Sequence, residues 1–216
     1  MKNAHGLCEI SLPNARICEM PRTAREFCEN FANSRMVEES RLLSHIANLG
    51  DLQVSWLFLY MCAVPRANHI LRQLPPSISK IYAKLHDTAI SACLESLLQI
   101  PNACRDRTVQ GIASIPQIFG GLGLRSAVRT AEPAYWAAWA DALPILLERL
   151  PEYARLWVAQ LTEAESCSDF PLGSLPACLK EAEVARRKLQ LEAASVRNVW
   201  KLPSWAEIAA GKRPPL

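Results

Sequence analysis

Apolar residues recur at spacings of three and four along most of the chain, which is the period of an amphipathic α-helix. Ser34, Asp51 and Ser77 stand just before apolar runs, as helix caps do, and Gly50 and Pro101 stand where runs end. We therefore predict an all-α fold, a compact array of helices with a glycine-rich junction loop. The predicted helices cover 34–49, 52–63, 67–73, 78–99, 105–115, 135–143 and 176–199.

Three of these helices have the strongest apolar character. The segment 52–63 is apolar on nearly every side, which places it at the centre of the core. The helix 78–99 carries a regular stripe made of Ile78, Ile81, Tyr82, Leu85, Ala89, Cys93 and Leu97. We expect both to pack with 135–143, and we expect three large side chains to be buried: Trp56, Leu85 and Trp136.

Changes in composition divide the chain into four parts. Residues 1–33 have weak periodicity and are predicted to form a poorly ordered extension. Residues 34–161 form the helical domain, and 162–175, which are small, acidic and polar with Pro and Gly, form a linker. Residues 176–216 form a charged helical tail with few apolar positions, which projects or docks on a partner. Ser204 is predicted to cap a last helical turn that ends near Ala210.

The stretch 115–142 contains three of the eight glycines, Gly120, Gly121 and Gly123. Glycines this close together mark a backbone that turns sharply or approaches another part of the chain, so we interpret the stretch as a tight packing junction. A phosphate-binding loop is the alternative, but no Lys-Ser or Lys-Thr follows the glycines and no GxGxxG spacing is present. Prolines further along are predicted to start new helices: Pro133, Pro144 and Pro151.

Composition and charge narrow the class of protein. The formal net charge is +3, too small to establish nucleic-acid binding by itself. No two of the eight cysteines are closer than ten residues, which argues against a zinc knuckle, and no apolar run is long enough to span a membrane. Residues 1–20 lack the apolar segment of a secretory signal, so we expect an intracellular protein, in cytoplasm or nucleus, with reduced thiols and no cofactor.

Two sequence blocks carry a family resemblance. The first is CAVPRANHILRQLPP, residues 62–76, and the second joins PQIFGGLGLRSA, residues 116–127, to AYWAAWAD, residues 134–141. The segment YAKLHD, residues 82–87, lies between them. In this order the blocks resemble the region C-terminal to the polymerase core of LINE-type (non-LTR) retrotransposon reverse transcriptases, over about residues 42–150. The resemblance implies a thumb-like or connection-like module, whose partners are RNA, an RNA–DNA duplex or the missing polymerase core.

Catalytic residues of a polymerase have no counterpart in this chain. Reverse transcription needs aspartates that hold two metal ions, and the five aspartates here are far apart with no Asp-Asp pair. His86 and Asp87 are adjacent, but neighbouring helical residues point about 100° apart, so we interpret them as surface or half-buried positions and not as a catalytic dyad. Pairing of a cysteine nucleophile with a histidine base stays open, although no one cysteine is singled out.

Cations in the two blocks are the candidate binding residues. Arg66, His69 and Arg72 are three apart and share one broad helix face, and Arg125 and Arg129 form an i, i+4 pair after the glycines. Such side chains can contact successive phosphates, or they can be solvated, cap helix ends and pair with surface acids. Trp136 and Trp139 could stack on bases, but their helical spacing among alanines favours the core.

Two functions are favoured over a third, an enzyme with no recognisable motif. The first is a non-catalytic C-terminal fragment of a retrotransposon reverse transcriptase that binds nucleic acid without sequence specificity. The alternative is a helical protein-interaction or structural domain without a nucleic-acid role. A basic groove over the four arginines favours the first, and a large exposed apolar face favours the second or indicates an interface cut from its partner.

We predict that the purified chain extends no primer on an RNA or DNA template with Mg²⁺ or Mn²⁺, because it lacks the paired carboxylates that position the metal ions. A primer-extension assay tests this directly. Extension above a control without protein would show that the polymerase chemistry resides in other residues.

Overall fold

The computed structural model describes residues 22–100, 106–166, 175–195 and 202–212, and within these residues every regular element is helical, as predicted. Residues 1–21, in the predicted extension, lie outside the described part of the chain. The elements are α1 (Arg22–Ala47), α2 (Leu52–Phe58), a π-helical turn (Leu59–Ala63), α3 (Arg66–Gln73), α4 (Pro76–Leu98), α5 (Arg107–Ser114), a 3₁₀ turn (Gln117–Phe119), α6 (Ala127–Arg149), α7 (Pro151–Ser166), α8 (Ala177–Ser195) and α9 (Trp205–Ala209).

Helix α6 contacts more of its neighbours than any other described helix: it packs against α3, α4, α7, α8 and α9. Helix α4 lies between α6 and α1. Small buried residues on α6, Ala127, Ala131 and Ala140, leave room for neighbouring helices to approach closely. The fold is therefore assembled around α6 from helices on several sides.

Buried apolar residues form three clusters along this array. The first joins α1, the π-helical turn, α4 and the glycine loop through Ile46, Leu59, Leu94 and Leu124, among others. The second joins α1, α3, α4 and the start of α6. The third joins the second half of α6 to α7, α8 and α9 through Trp136, Leu161, Leu179 and Trp205, among others.

Helix α1 begins earlier than predicted. It runs without interruption from Arg22, so Ser34 lies inside the helix and is not its cap. The Ser34 hydroxyl donates a 2.8 Å hydrogen bond to the carbonyl oxygen of Phe31 in the preceding turn. No proline or glycine occurs between residues 22 and 47, so nothing in the local sequence stops the helix there.

The prediction that Pro133 and Pro144 start new helices is wrong, because both lie inside α6. Each proline removes one backbone hydrogen bond from the helix. The buried face of Tyr135, Trp136 and Leu143 lies between the two prolines, and the packing of this face outweighs the two lost bonds. The prediction for Pro151 is confirmed, since this residue begins α7.

The three strongly apolar segments pack together only in part. Helix α4 contacts both α2 and α6, but the α2 region and the residues 135–143 belong to different clusters. The segment 52–63 is not central: of its large apolar residues only Leu59 is fully buried, while Leu57 and Met61 are 51% and 61% exposed.

On α4 the buried stripe is rotated from the predicted one. Ile81 and Leu85 are exposed, whereas Ser79, Ala83 and His86 are buried. The stripe is set by packing against α1 on one side and α6 on the other, and small or polar residues fill the close contacts. Burial is therefore confirmed for Trp136, wrong for Leu85 and partial for Trp56, which stacks on Tyr60 with ring centroids 5.8 Å apart.

The glycine loop folds back onto the end of α5, as the packing-junction interpretation requires. The backbone N–H groups of Leu122, Gly123 and Leu124 donate to the carbonyls of Ile112, Ile115 and Ala113 at 2.9–3.3 Å. A Cβ atom on Gly121 would lie 2.1 Å from the Ile115 carbonyl oxygen. This position therefore requires glycine because of close approach.

The C-terminal helices are part of the packed array. The predicted linker begins inside α7, which continues to Ser166, and residues 167–174 lie outside the described part of the chain. Of the two predictions for helix 176–199, projection is wrong, because Leu179, Ala182 and Ala185 are buried against α6 and its neighbours. Docking on a partner stays a prediction. The predicted cap at Ser204 is confirmed and forms a capping box with Glu207.

A buried carboxylate ties three of these helices together. Glu183 of α8 is fully buried and accepts hydrogen bonds from the Trp205 indole at 2.6 Å and from Arg186 and Arg187 at 2.9 and 2.8 Å. Arg187 also donates to the Ala164 carbonyl of α7 at 2.8 Å. Burial alone would raise the pKa of Glu183, but these hydrogen bonds outweigh it, so the pKa lies below its ordinary value.

We predict opposite effects for two glycine-to-alanine changes. Gly121→Ala should lower the free energy of unfolding by roughly 1–3 kcal/mol or more, because the new methyl group meets backbone atoms that cannot move aside easily. Gly111→Ala should raise it by about 0.5–1 kcal/mol, because this α5 position is open and alanine favours the helix. Chemical denaturation measures both, and equal effects of the two changes would contradict this account.

Candidate functional site

The predicted cations of α3 are divided between two environments. Arg66 and His69 are exposed and line a cavity of about 240 Å³ with Arg35, Glu38 and Glu39 of α1. The nearby Arg35 is itself paired with Glu38 at 2.7 Å. The cavity is therefore bordered by charges of both signs, with the α3 cations on one side.

Arg72 is used inside the fold. Its Nη2 atom lies 2.6 Å from Oδ2 of Asp141 on α6, and both side chains are about half exposed, at 43% and 51%. This is the pairing with a surface acid that was the alternative to phosphate contact. An exposed pair of this kind contributes little to stability, and the Asp141 carboxylate beside the guanidinium reduces the local positive charge.

Arg125 and Arg129 lie at the start of α6, and both are exposed. Arg125 borders a cavity of about 260 Å³ that is also lined by Asn68 of α3, and a larger one of about 420 Å³ between α4 and α5. Within the described residues, Arg66, Arg125 and Arg129 make no ion pair. Arg66 lies on α3 and Arg129 on α6, and Arg125 lies in the loop just before the Ser126 cap of α6, all three with their charges open to solvent.

His86 is not at the surface or half-buried, as the sequence indicated, but almost completely buried at 2% exposure. Its Nδ1 atom lies 2.7 Å from Oε2 of Glu39, and the Tyr82 hydroxyl donates a very short hydrogen bond to Oε1 of the same carboxylate. Glu39, on α1, thereby joins two residues of α4. Burial raises the pKa of Tyr82 above its ordinary value, and the hydrogen bond and charge of Glu39 raise it further.

Sequence reasoning missed Glu39, although a signal for it exists. On α1 the buried or half-buried positions Ala32, Met36, Leu43 and Ile46 recur at spacings of three and four, and Glu39 occupies the same face. A carboxylate on an apolar helix face needs a buried partner, and α4 provides two. The Tyr82 hydroxyl and His86 Nδ1 are both directed at the Glu39 carboxylate, which links α1 to α4, while the buried Nε2 atom of His86 has no hydrogen-bond partner among the described residues.

Asp87 has a separate role from His86, as the angle between adjacent helical residues predicted. Its carboxylate accepts hydrogen bonds from the Ser126 hydroxyl and the Ala127 backbone N–H, both at 2.6 Å, and from the Val128 N–H at 3.2 Å. These groups form the first turn of α6. A negative charge at a helix start stabilises that start, so Asp87 fixes α6 against α4.

Other candidate groups have structural positions. Trp136 is buried at 3% exposure and Trp139 is partly buried in the third cluster, in line with the core interpretation. Among the described residues no group of three or more His, Cys, Asp or Glu side chains is placed to hold a metal ion. No helix in the described part of the chain has both the length and the apolar character needed to cross a membrane.

A large apolar surface lies on the outer side of α2. Val54, Leu57, Phe58 and Met61 are between 41% and 61% exposed, and Cys62 beside them is exposed too. We call these five residues the outer face of α2. At the neighbouring glycine loop, Ile118 and Phe119 are 84% and 74% exposed. Contiguous exposed apolar residues of this kind mark interaction surfaces.

Comparisons with known proteins place the chain in no family: no family model, no curated protein and no solved structure matches it.

We predict that Tyr82→Phe weakens the decline of stability at alkaline pH. The unfolded tyrosine ionises near pH 10, whereas the folded hydroxyl keeps its proton to higher pH. The stabilisation is thus complete below about pH 10 and is lost above it, by about 1.4 kcal/mol per pH unit for each such tyrosine. Urea denaturation from about pH 8 to pH 11 measures the slope, which the substitution should reduce by one proton's contribution.

Tyr135→Phe is the matched comparison, because burial raises the pKa of this hydroxyl as well and it does not touch Glu39. It should flatten the alkaline slope similarly but cost less stability at neutral pH, since Tyr82→Phe also removes a donor from the buried Glu39 carboxylate. An unchanged alkaline slope in Tyr82→Phe would contradict the assignment.

Proposed function

We propose that this chain is a non-catalytic helical module, resembling the region C-terminal to the polymerase core of LINE-type reverse transcriptases, that contacts nucleic acid through its phosphate backbone. The observation that carries the proposal is that Arg66 on α3, Arg129 on the adjoining α6 and Arg125 in the loop before α6 are exposed and without ion pairs among the described residues. His69 adds a further donor beside Arg66.

The geometry of α3 and α6 supports contact with more than one phosphate. These two helices pack closely, and Arg125 lines the same cavity as Asn68 of α3. Arg66 lines a separate cavity with His69 on another side of α3. Cations at two separate cavities can neutralise phosphates at two places on a nucleic acid without reading its bases.

The local charges indicate that this binding is weak. Glu38 and Glu39 lie beside Arg66 and His69, and Arg72 is held by Asp141. The proposal therefore assigns contact to Arg66, His69, Arg125 and Arg129 and a smaller part to Arg72. Affinity should fall steeply with salt, because each neutralised phosphate releases counterions.

A second candidate function is protein interaction, and the outer face of α2 favours it. Its side chains would be covered if α2 docked on another protein surface, including a polymerase core of the kind that the resemblance implies. The two candidate surfaces adjoin, since Met61 of the outer face lines the same cavity as Arg125 and Asn68.

We predict that an electrophoretic shift titration with an RNA–DNA duplex detects binding at low salt, and that Arg66→Ala, Arg125→Ala and Arg129→Ala each lower the slope of log affinity against log salt by about one. The reason is the loss of one phosphate contact in each variant. Arg72→Ala should change the slope less, because its guanidinium already pairs with Asp141.

Arg155→Ala is the matched control, because Arg155 is an exposed arginine on α7, away from α3 and the start of α6. It should leave both affinity and salt slope unchanged. If a chain shown by circular dichroism to be folded gives no shift at low salt, or if Arg155→Ala weakens binding as much as the other changes, the proposed nucleic-acid contact is wrong.

A further inference from the structure

The cavity of about 260 Å³ that is lined by Asn68 and Arg125 combines apolar walls with a few polar groups. We call it the Asn68 cavity. Its apolar walls come mainly from four residues in and just after the π-helical turn, namely Tyr60, Met61, Val64 and Pro65. Its polar lining includes the Asn68 amide of α3 and the Arg125 guanidinium. Apolar walls with a small number of polar side chains that fix orientation are the usual composition of a small-molecule site.

The aromatic wall of the Asn68 cavity is held in place by the fold itself. The Tyr60 ring stacks on Trp56, with the ring centroids 5.8 Å apart and an angle of 8° between the ring planes. On the glycine loop, a Cβ atom at Gly123 would lie 2.8 Å from the Tyr60 ring, so glycine at this position lets the loop backbone approach the ring. The ring belongs to the π-helical turn Leu59–Ala63, and such turns are rare and occur frequently at functional sites. A wall fixed in this way loses little conformational freedom when a ligand binds.

Two polar side chains at this cavity are available to a ligand. Neither the Asn68 amide nor the Arg125 guanidinium makes a hydrogen bond or an ion pair within the described part of the chain. Thr130, which also lines the cavity, donates its hydroxyl to the Ser126 carbonyl at 2.7 Å. Arg125 therefore provides a positive charge for an anionic group, and the Asn68 amide provides two donors and an acceptor for a polar edge.

A nucleotide carries groups that match this lining. Asparagine pairs with the N6 and N7 edge of adenine through two hydrogen bonds. The phosphate of the same nucleotide can bond to Arg125, whose guanidinium binds phosphate oxygens in a forked geometry. The Tyr60 ring and the Met61 sulfur suit contact with a flat aromatic base. The volume of about 260 Å³ lies just below the range of about 300–1,000 Å³ that is typical for drug-sized ligands, so it suits one base, which is smaller than such ligands.

We propose that the Asn68 cavity binds one unpaired adenine nucleotide at the end of a nucleic-acid strand, with the base edge on the Asn68 amide and the phosphate on Arg125. The inference rests on the proposed function, because the phosphate contacts of that function bring the strand to the cavity. It adds a preference for an unpaired adenine end over a blunt end, which contact with phosphates alone does not provide.

Fluorescence anisotropy with three RNA–DNA duplexes tests the proposal. One duplex is blunt, one carries a single unpaired 3′ adenosine nucleotide, and one carries an abasic nucleotide at the same place, which keeps the phosphate and removes the base. The wild-type chain should bind the adenine end about tenfold more tightly than the abasic end, which is a typical contribution of one bound base. Asn68→Ala should remove most of this preference and leave the affinity for the blunt duplex unchanged.

His69→Ala is the matched control, because His69 is the next residue on α3 but lines the separate cavity with Arg66. It should keep the preference for the adenine end even where it weakens binding to all three duplexes. Both Asn68 and His69 are exposed, so neither change should disturb folding, which circular dichroism checks. Equal affinity of the wild type for the adenine and abasic ends, or a preference that persists in Asn68→Ala, would overturn the inference, while binding of the blunt duplex would still support the proposed function.

Free adenosine 5′-monophosphate separates the Asn68 cavity from the contacts with the duplex. Saturation-transfer NMR with the full chain should show transfer to the base protons of this nucleotide in the wild type and much less in Asn68→Ala. If the nucleotide binds in this way but none of the duplexes does, the proposed function fails and the base site stands. Absence of transfer in the wild type would overturn the base site. Displacement of the nucleotide by N-acetylleucine at equal concentration would overturn it too, in favour of a peptide carboxylate.

Discussion

The carboxylate of Asp87 on α4 fixes the start of α6, the helix that contacts the largest number of its neighbours. Helix α6 contacts α3, α4, α7, α8 and α9, so its position determines where the other helices can pack. Asp87 accepts three hydrogen bonds from the first turn of α6, including two from backbone N–H groups, and it does so from the middle of α4. The start of the central helix is therefore fixed in direction and in register relative to its neighbour. The glycine loop precedes this turn, and its backbone hydrogen bonds to α5 fix where the chain enters the first turn of α6.

Two buried carboxylates join other helices in the same way, by accepting hydrogen bonds from side chains opposite them. Glu39 binds Tyr82 and His86 across the α1–α4 contact, and Glu183 binds Trp205 and two arginines across the α7–α8–α9 contact. A buried charge without partners is strongly unfavourable, so each carboxylate specifies which side chains must lie opposite it. The apolar clusters stabilise the packing of the helices, and the buried acids specify how the helices are positioned relative to one another.

Much of the helical architecture could be predicted from local sequence, and the predictions of helix bounds and buried faces that were wrong share one cause. The caps at Asp51 and Ser204 and the junction at the glycine loop depend on neighbouring residues only, and sequence reasoning found them. Three features were predicted wrongly: the interior prolines of α6, the early start of α1 and the rotated stripe of α4. Each depends on which helix face packs against another helix, and local periodicity does not contain this information. The candidate site divides in the same way: Arg66, Arg125 and Arg129 are exposed, while the pairing of Arg72 with a residue 69 positions away and the role of Glu39 required the assembled fold.

The position of Trp205 has a consequence for the order of events during synthesis. The indole fills the third cluster and donates to Glu183, which lies in a helix made earlier, and α9 also satisfies Glu165 of α7 through the Trp205 backbone N–H. The first two clusters use residues no later than 131, so they can close on the ribosome while the chain is still growing. The third cannot close until the residues around 208 have left the exit tunnel. Until α9 docks, α7 and α8 therefore lack the indole that fills the third cluster and the donors that Trp205 supplies to Glu183 and Glu165.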